Sequence, residues 1–167
     1  IGCDRLKLYL DQDRPASPIE LQTLRDLTGR ALKHEPVQYL VGEGWFFGMP
    51  LHVDSRVLIP RPSTETIVEA LLLELTERVE LLKGDLLAPL HDHPAVGDKR
   101  TLAYIATNPP YIPDHEWHDV APNVKDHEPH SALRAGPTGL DLVRPLIEHA
   151  AAILLPGGTL YLELAAS

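Results

Sequence analysis

Leu102-Ala103-Tyr104-Ile105-Ala106-Thr107-Asn108-Pro109-Pro110-Tyr111 is the stretch on which the reading of this chain turns. The apolar run at 102–106 has the length and composition of a strand. Two successive prolines then fix φ and remove two backbone N–H donors, so the chain beyond Thr107 cannot continue a hydrogen-bonded ladder. What remains is a stiff corner rich in acceptors: the Asn108 carboxamide, the Pro109 carbonyl and, beside them, the flat face of Tyr111. That set suits a planar NH2 group. An amide or exocyclic amine nitrogen is a poor nucleophile because its lone pair is delocalised. Accepting both of its hydrogens orients the lone pair and stabilises the positive charge that develops as a methyl group arrives. The same four residues also read as a plain Pro-rich turn, and the surrounding chain has to decide between the two.

Outward toward the C-terminus, an irregular stretch covers residues 112–137. Thr138-x-x-Asp141 then caps a helix carrying Leu142, Val143, Leu146, Ile147, Ala150 and Leu154, with Pro145 tolerable in its first two turns. Pro156-Gly157-Gly158 turns the chain into residues 159–164, an apolar run of the kind buried in parallel sheets. Strand, crossover helix and strand make the α/β signature.

Toward the N-terminus, Ser17-Pro18-Ile19-Glu20 announces a helix with Ser at the cap, Pro at the first position and Glu three residues after the cap. Leu21, Leu24, Leu27, Ala31 and Leu32 give that helix an apolar stripe, and Pro36 stops it. Leu6, Leu8 and Leu10 suggest a short helix before it, so residues 1–42 read as a small helical lobe. Trp45-Phe46-Phe47, a Gly48-Met49-Pro50 turn and Leu51-His52-Val53 read as a β-hairpin whose aromatics pack in a core, and Val57-Leu58-Ile59 continues extended. After Pro60-Arg61-Pro62, Thr64-Glu65 opens a helix with Ile67, Val68, Leu71, Leu72 and Leu75 on one face. That helix runs into Arg78-Val79-Glu80-Leu81-Leu82, which alternates like a strand, with no Gly, Pro or Asn between to make the turn. The expectation is a missing segment at about residues 73–78.

Composition narrows the function classes. A chain of 167 residues with 44% hydrophobic and 23% charged residues is an ordinary globular protein. It begins at Ile1 without a basic or long apolar stretch, so the expectation is a trimmed N-terminus with no signal peptide and no membrane span. The lone Cys3 excludes an intramolecular disulfide framework and fits a reducing, cytoplasmic setting. The net charge is −9, and residues 1–42 are balanced, so nine basic residues face eighteen acidic ones in residues 43–167. Such a surface repels phosphate backbones and favours a protein or small-molecule partner.

Further motifs stand in order along nearly the whole chain. They are Glu35-Pro36-Val37-Gln38-Tyr39-Leu40-Val41-Gly42, Phe47-Gly48, Val57-Leu58-Ile59-Pro60-Arg61-Pro62-Ser63-Thr64-Glu65, Gly84-Asp85-Leu86-Leu87, Asn108-Pro109-Pro110-Tyr111-Ile112-Pro113, Glu128-Pro129, Ala132-Leu133, Gly139-Leu140 and Leu155-Pro156-Gly157-Gly158. In this order they resemble the bacterial peptide chain release factor glutamine methyltransferases, which use S-adenosylmethionine. The Asn-Pro-Pro-Tyr segment alone is shared with DNA adenine and RNA guanine amino-methyltransferases, whereas the Ile-Pro-Arg-Pro-x-Thr-Glu segment and the helical lobe point to the glutamine enzymes.

The resemblance implies an α/β fold. A Rossmann-like class I methyltransferase domain over residues 63–167, incomplete in this chain, would follow a helical substrate-recognition lobe (1–42) and a β-hairpin linker (43–62). It implies S-adenosylmethionine as methyl donor, no metal, release factors as protein substrate, and no nucleic-acid or membrane partner. The acceptor would be the glutamine of their Gly-Gly-Gln motif. Carried onto this sequence, Asn108 and Pro109 would be catalytic, accepting the two amide hydrogens, and Pro110 and Tyr111 would shape the substrate slot. Asp85 and Leu86 would flank the adenine, Asn108 would lie beside the cofactor, and Arg61 and Thr64 would sit near its methionine end. Two family features are absent: the glycine-rich loop after the first strand and the acidic residue after the second that holds the ribose hydroxyls. Both fall at the expected break between Leu75 and Thr76. Two family strands beyond Ser167 are absent as well. A contiguous chain without these parts is expected to bind the cofactor poorly or not at all, and omission of segments such as a flexible glycine loop is preferred over a degenerate protein.

Competing chemistries are weaker. Nine histidines include His91-Asp92-His93, His115-Glu116-Trp117-His118 and His127-Glu128-Pro129-His130, but none has zincin spacing, and the pattern reads as surface loops. No Gly-x-Ser-x-Gly elbow supports hydrolysis. An amino-methyltransferase for DNA or RNA bases and a catalytically silent interaction module on the same fold stay open as alternatives.

Overall fold

The computed structural model of the chain describes residues 5–10, 13–72, 80, 82–97 and 99–164. Helix α1 (Arg5–Leu10) precedes α2 (Pro18–Ala31), whose start is a reciprocal capping box: Ser17 Oγ accepts from the Glu20 N–H, and Glu20 Oε2 accepts from the Ser17 N–H at 2.8 Å. The stripe expected to bury α2 does not do so. Leu21, Leu24 and Leu32 are exposed, and no residue of the helix is buried. The helix ends at Ala31, ahead of Pro36, which instead opens α3 (Val37–Val41); Gly42 closes α3 in the left-handed region at φ 72°.

Strands β1 (Glu43–Phe46) and β2 (Met49–His52) form an antiparallel hairpin pairing Trp45 with Pro50. Its turn is Phe47-Gly48, both at positive φ (50° and 72°), one residue earlier than the Gly48-Met49-Pro50 expectation; paired positive φ matches the twist of the flanking strands. The aromatic cluster is not core. Trp45 and Phe47 are exposed, and the interior here is Tyr39, Val53 and Ile59. Residues 57–59 form no strand. Glu65 Oε1 accepts the Phe47 N–H at 2.6 Å and ties the hairpin tip to α4 (Pro62–Leu72). The expected break at residues 73–78 lies outside the described residues, as do Cys3 and most of the strand-like run after it; Glu80 and Leu82 belong to no regular element.

After α5 (Ala88–His91), strand β3 (Leu102–Thr107) stops at Thr107, as two prolines require. The irregular stretch contains 3-10 turns at Asp114–Asp119 and His130–Ala132 around α6 (Pro122–Lys125). Thr138 and Asp141 do not cap the next helix. Their side chains bond each other in a turn ahead of α7 (Val143–Ile153), which carries no side-chain cap. Strand β4 (Leu154–Leu162) begins at Leu154, expected in the helix, and runs parallel to β3. Between the Leu102–Leu154 and Tyr104–Thr159 pairs, Pro156-Gly157-Gly158 bulges out. No residue of β4 is fully buried, in contrast to the buried strand expected, because the parallel sheet has two strands among the described residues. Leu146, Ala150 and Ile153 of α7 pack on Ile105, Leu87 and Val96 to form the main core. The architecture is mixed α/β with two small sheets. Among the described residues no helix is long and apolar enough to cross a membrane.

The Tyr39 hydroxyl donates to the Val57 carbonyl, and burial, with the Glu128 charge behind it, pushes the phenol up to about 12. The folded value lies above the ordinary 10.0, so the neutral phenol's contribution to stability is complete below pH 10 and lost as pH rises toward 12. Denaturant melts across that window are expected to show an alkaline loss of stability that Tyr39→Phe lacks.

Candidate active site

Three segments distant in sequence meet where β3 ends. The first follows the hairpin. Glu128, 3% exposed, accepts the Ile59 N–H at 3.1 Å through Oε2 and pairs through Oε1 with Arg61 Nη2. A buried carboxylate is stable only when paired and hydrogen-bonded, and these two donors meet that need. Pro60 and Pro62 stiffen the backbone on either side of Arg61, so its guanidinium is held at the edge of the cleft.

The second segment is the Asn-Pro-Pro-Tyr corner and its support. The Ile112 N–H donates to the Leu133 carbonyl at 2.9 Å, the Ala135 N–H to the Ile112 carbonyl at 3.0 Å, and the Asp114 N–H to the Gly136 carbonyl at 2.9 Å. These bonds bring Ala132 and Leu133 against the corner. Gly139 closes it from behind: at φ 74°, a Cβ there would lie 2.5 Å from the Tyr111 carbonyl oxygen, a space only glycine leaves open.

The third segment is the end of β4. Glu163 donates its N–H to the Thr107 carbonyl at 3.0 Å, which brings its side chain to the site. Its Oε1 accepts from Ser63 Oγ at 2.6 Å and its Oε2 from Thr64 Oγ1 at 2.7 Å. Asn108 Nδ2 donates to Thr64 Oγ1 at 2.9 Å, and Asn108 Oδ1 has no donor among the described residues.

A cleft of about 270 Å³ opens here, bordered by Arg61, Ser63, Asn108, Tyr111, Leu133 and Glu163. On the other side of Asn108, Thr64, Ile67, Val68 and Thr107 line a smaller cavity of about 80 Å³. Asn108, Pro110 and Tyr111 are half-buried and Pro109 is buried. Asp85 is exposed, and Leu86, at φ 45°, packs against the main core; neither borders the cleft. Sequence reasoning gave Glu163 no part in the site and Glu128 no more than a place in a motif. Both act through contacts too distant in the chain to leave a local signal.

No histidine or cysteine borders the cleft among the described residues, and none of their His, Cys, Asp and Glu side chains gather in threes around a metal-sized space. Histidines make contacts elsewhere: His91 packs edge-on against His149, His130 against Trp117, and His127 Nε2 meets the Lys33 carbonyl at 3.0 Å. What the cleft offers is a fixed carboxamide oxygen and a phenol ring, suited to orienting a planar amide. S-adenosylmethionine finds less. Arg61 Nη2 and the Thr64 hydroxyl are already engaged, Asp85 and Leu86 stand apart, and the cavity beside Asn108 is far below the roughly 300–1,000 Å³ that encloses a ligand of that size. The described residues do not enclose the whole cofactor.

Residues 1–42 match the family model described as the PrmC N-terminal domain. Curated relatives align with almost all of the chain. A release factor glutamine methyltransferase of Geobacter sulfurreducens is 33% identical, covering 98% of this chain and 72% of that protein. One of Chlorobaculum tepidum is 31% identical over 98% and 74%, and one of Bradyrhizobium diazoefficiens 31% over 98% and 71%. The first alignment spans 213 positions, more than the 167 residues of this chain, so the relative carries residues that have no counterpart here.

Replacing Gly139 by Ala forces the Tyr111 carbonyl or the turn to move, and urea melts are expected to show a loss of at least about 1 kcal/mol. Glu128→Ala strands the buried Ile59 N–H and is expected to cost about 1–3 kcal/mol in the same measurement.

Proposed function

This chain belongs to the release factor glutamine methyltransferase family, and from that premise we propose that it methylates the side-chain amide nitrogen of the glutamine in the Gly-Gly-Gln motif of release factors, with S-adenosylmethionine as donor. The observation that carries the reading is the Asn108 carboxamide. Its Nδ2 is occupied by Thr64, so its Oδ1 is the atom left to accept from an NH2 group entering the cleft. The parallel β3–α7–β4 unit supports a Rossmann-like class I domain, with Asn108 directly after β3.

In this reading the glutamine amide donates one hydrogen to Asn108 Oδ1 and the other to the Pro109 carbonyl, while the Tyr111 ring covers its face. Both acceptors are fixed before the substrate arrives, one by Thr64 and the other by the proline ring, so little reorganisation accompanies the reaction. Charge that develops on the nitrogen meets two oriented dipoles. No general base is required at the moment of transfer, since an N-protonated amide is strongly acidic and sheds its proton afterwards. The charged groups at the cleft are accounted for without one, Arg61 by Glu128 and Glu163 by two hydroxyls.

Incubation with methyl-labelled S-adenosylmethionine, release factor and nucleic acid tests the reading, with label expected in the release factor glutamine. Label in nucleic acid alone would make the chain a base amino-methyltransferase, and no label together with no calorimetric binding of S-adenosylmethionine would make it a silent module. Asn108→Ala is expected to lower transfer by at least about a hundredfold. Tyr111→Ala is expected to weaken release factor binding more than cofactor binding, measured by calorimetry on each.

A further inference from the structure

Glu163 is one of two carboxylates at the cleft whose role no local pattern announces, and its contacts have a directional consequence. An ionised carboxylate only accepts hydrogen bonds. Ser63 and Thr64 must therefore both spend their hydroxyl protons on it, at 2.6 and 2.7 Å. A threonine hydroxyl has a single proton. With that proton given to Glu163, Thr64 Oγ1 meets Asn108 only as an acceptor, so the Asn108 atom facing it has to be Nδ2. The alternative amide orientation would set Oδ1 against an oxygen with no proton to offer.

We propose that Glu163 is a positioning residue that sets the orientation of the Asn108 carboxamide through Thr64, holding Oδ1 toward the cleft as the acceptor for the substrate's NH2 group. The inference rests on the reading of Asn108 given above and adds what determines it. The relay is anchored at both ends. The Glu163 N–H is bonded to the Thr107 carbonyl, the residue before Asn108, and Ser63 holds the second carboxylate oxygen so that the first stays on Thr64. An alanine at 163 would remove the acceptor, release the Thr64 proton, and allow the Asn108 amide to turn over and present NH2 to the cleft. A substrate NH2 group would then meet donors instead of an acceptor.

The test reads the amide itself in the protein without cofactor. Asn108 and Asn123 are the two asparagines of the chain, and Asn123 is exposed, so selective 15N labelling of asparagine leaves two side-chain NH2 pairs to assign, and the second serves as reference. Hydrogen exchange of the Asn108 NH2 is expected to be slower than that of Asn123 and to accelerate by about tenfold in Glu163→Ala and in Thr64→Val, the scale of one charge-assisted bond. Backbone amides of β3 and β4 should keep their protection. Thr64→Ser retains the hydroxyl and is expected to keep the slow exchange. The double variant Glu163→Ala/Thr64→Val should exchange no faster than either single one, since both act on the same amide. Unchanged exchange in Glu163→Ala, or Thr64→Ser behaving like Thr64→Val, would overturn the relay. Label transfer is the separate readout. Lost protection in Glu163→Ala with no transfer by the unsubstituted chain would sustain the relay and remove the methyl-transfer reading. Transfer at the original rate in Glu163→Ala would remove the relay and leave that reading standing.

Discussion

Two adjacent prolines at the tip of a strand impose the constraint from which the site follows. Neither has an N–H, so β3 cannot extend past Thr107, and the first residue beyond it must find its partners outside the sheet. Asn108 finds Thr64, on a helix whose own start is fixed by Pro62. The corner is stiff for the same reason it is unpaired. A proline backbone loses less freedom on folding than other residues, so holding its carbonyls in place costs less than it would in an ordinary loop. Gly139, Leu133 and Ala135 close around it, and the cleft opens on the face they leave.

Two carboxylates then do opposite kinds of work. Glu128 is buried and faces a full charge, so it anchors the Ile59–Arg61 segment and holds the arginine at the edge of the cleft. Glu163 is half-buried and faces neutral hydroxyls, so its charge is spent on direction, deciding which way each proton points. The acidic excess of residues 43–167 is therefore not only surface charge. Part of it, Glu128 and Glu163, organises the site.

What the sequence revealed was what depends on neighbours in the chain. The capping box at Ser17 and Glu20 is complete within four residues, and the end of β3 is dictated by the prolines themselves. The α7 stripe of Val143, Leu146 and Ala150 is periodic and buried. The failures share the opposite property. Trp45 and Phe47 read as core by residue type, yet both are exposed, Trp45 in β1 and Phe47 in the turn at positive φ. The leucines of α2 have the right spacing, yet none of them is buried, and spacing cannot report whether a covering layer exists. Thr138 and Asp141 have the spacing of a cap, but they satisfy each other one turn too early. Glu163 is separated from Ser63 by a hundred residues and sits in an unremarkable strand end, so only the fold could join them.

The two halves of the expected site differ because they draw on different parts of the chain. The amide-binding half is made of short segments at 59–64, 108–111 and 128–139 and the single residue Glu163, each fixed by its own proline, glycine or carboxylate. Among the described residues, none between α4 and α5 borders it. The nucleotide half has no such independence. Asp85 and Leu86 lie just past that stretch and border neither cavity beside Asn108, and it is between α4 and α5 that the sequence itself reads as shortened. An alignment longer than the chain accords with that reading. In the proposed reading, acceptor orientation and cofactor capture are thus separable. The relay from Glu163 to Asn108 belongs wholly to the first, so its geometry is set before any nucleotide is bound.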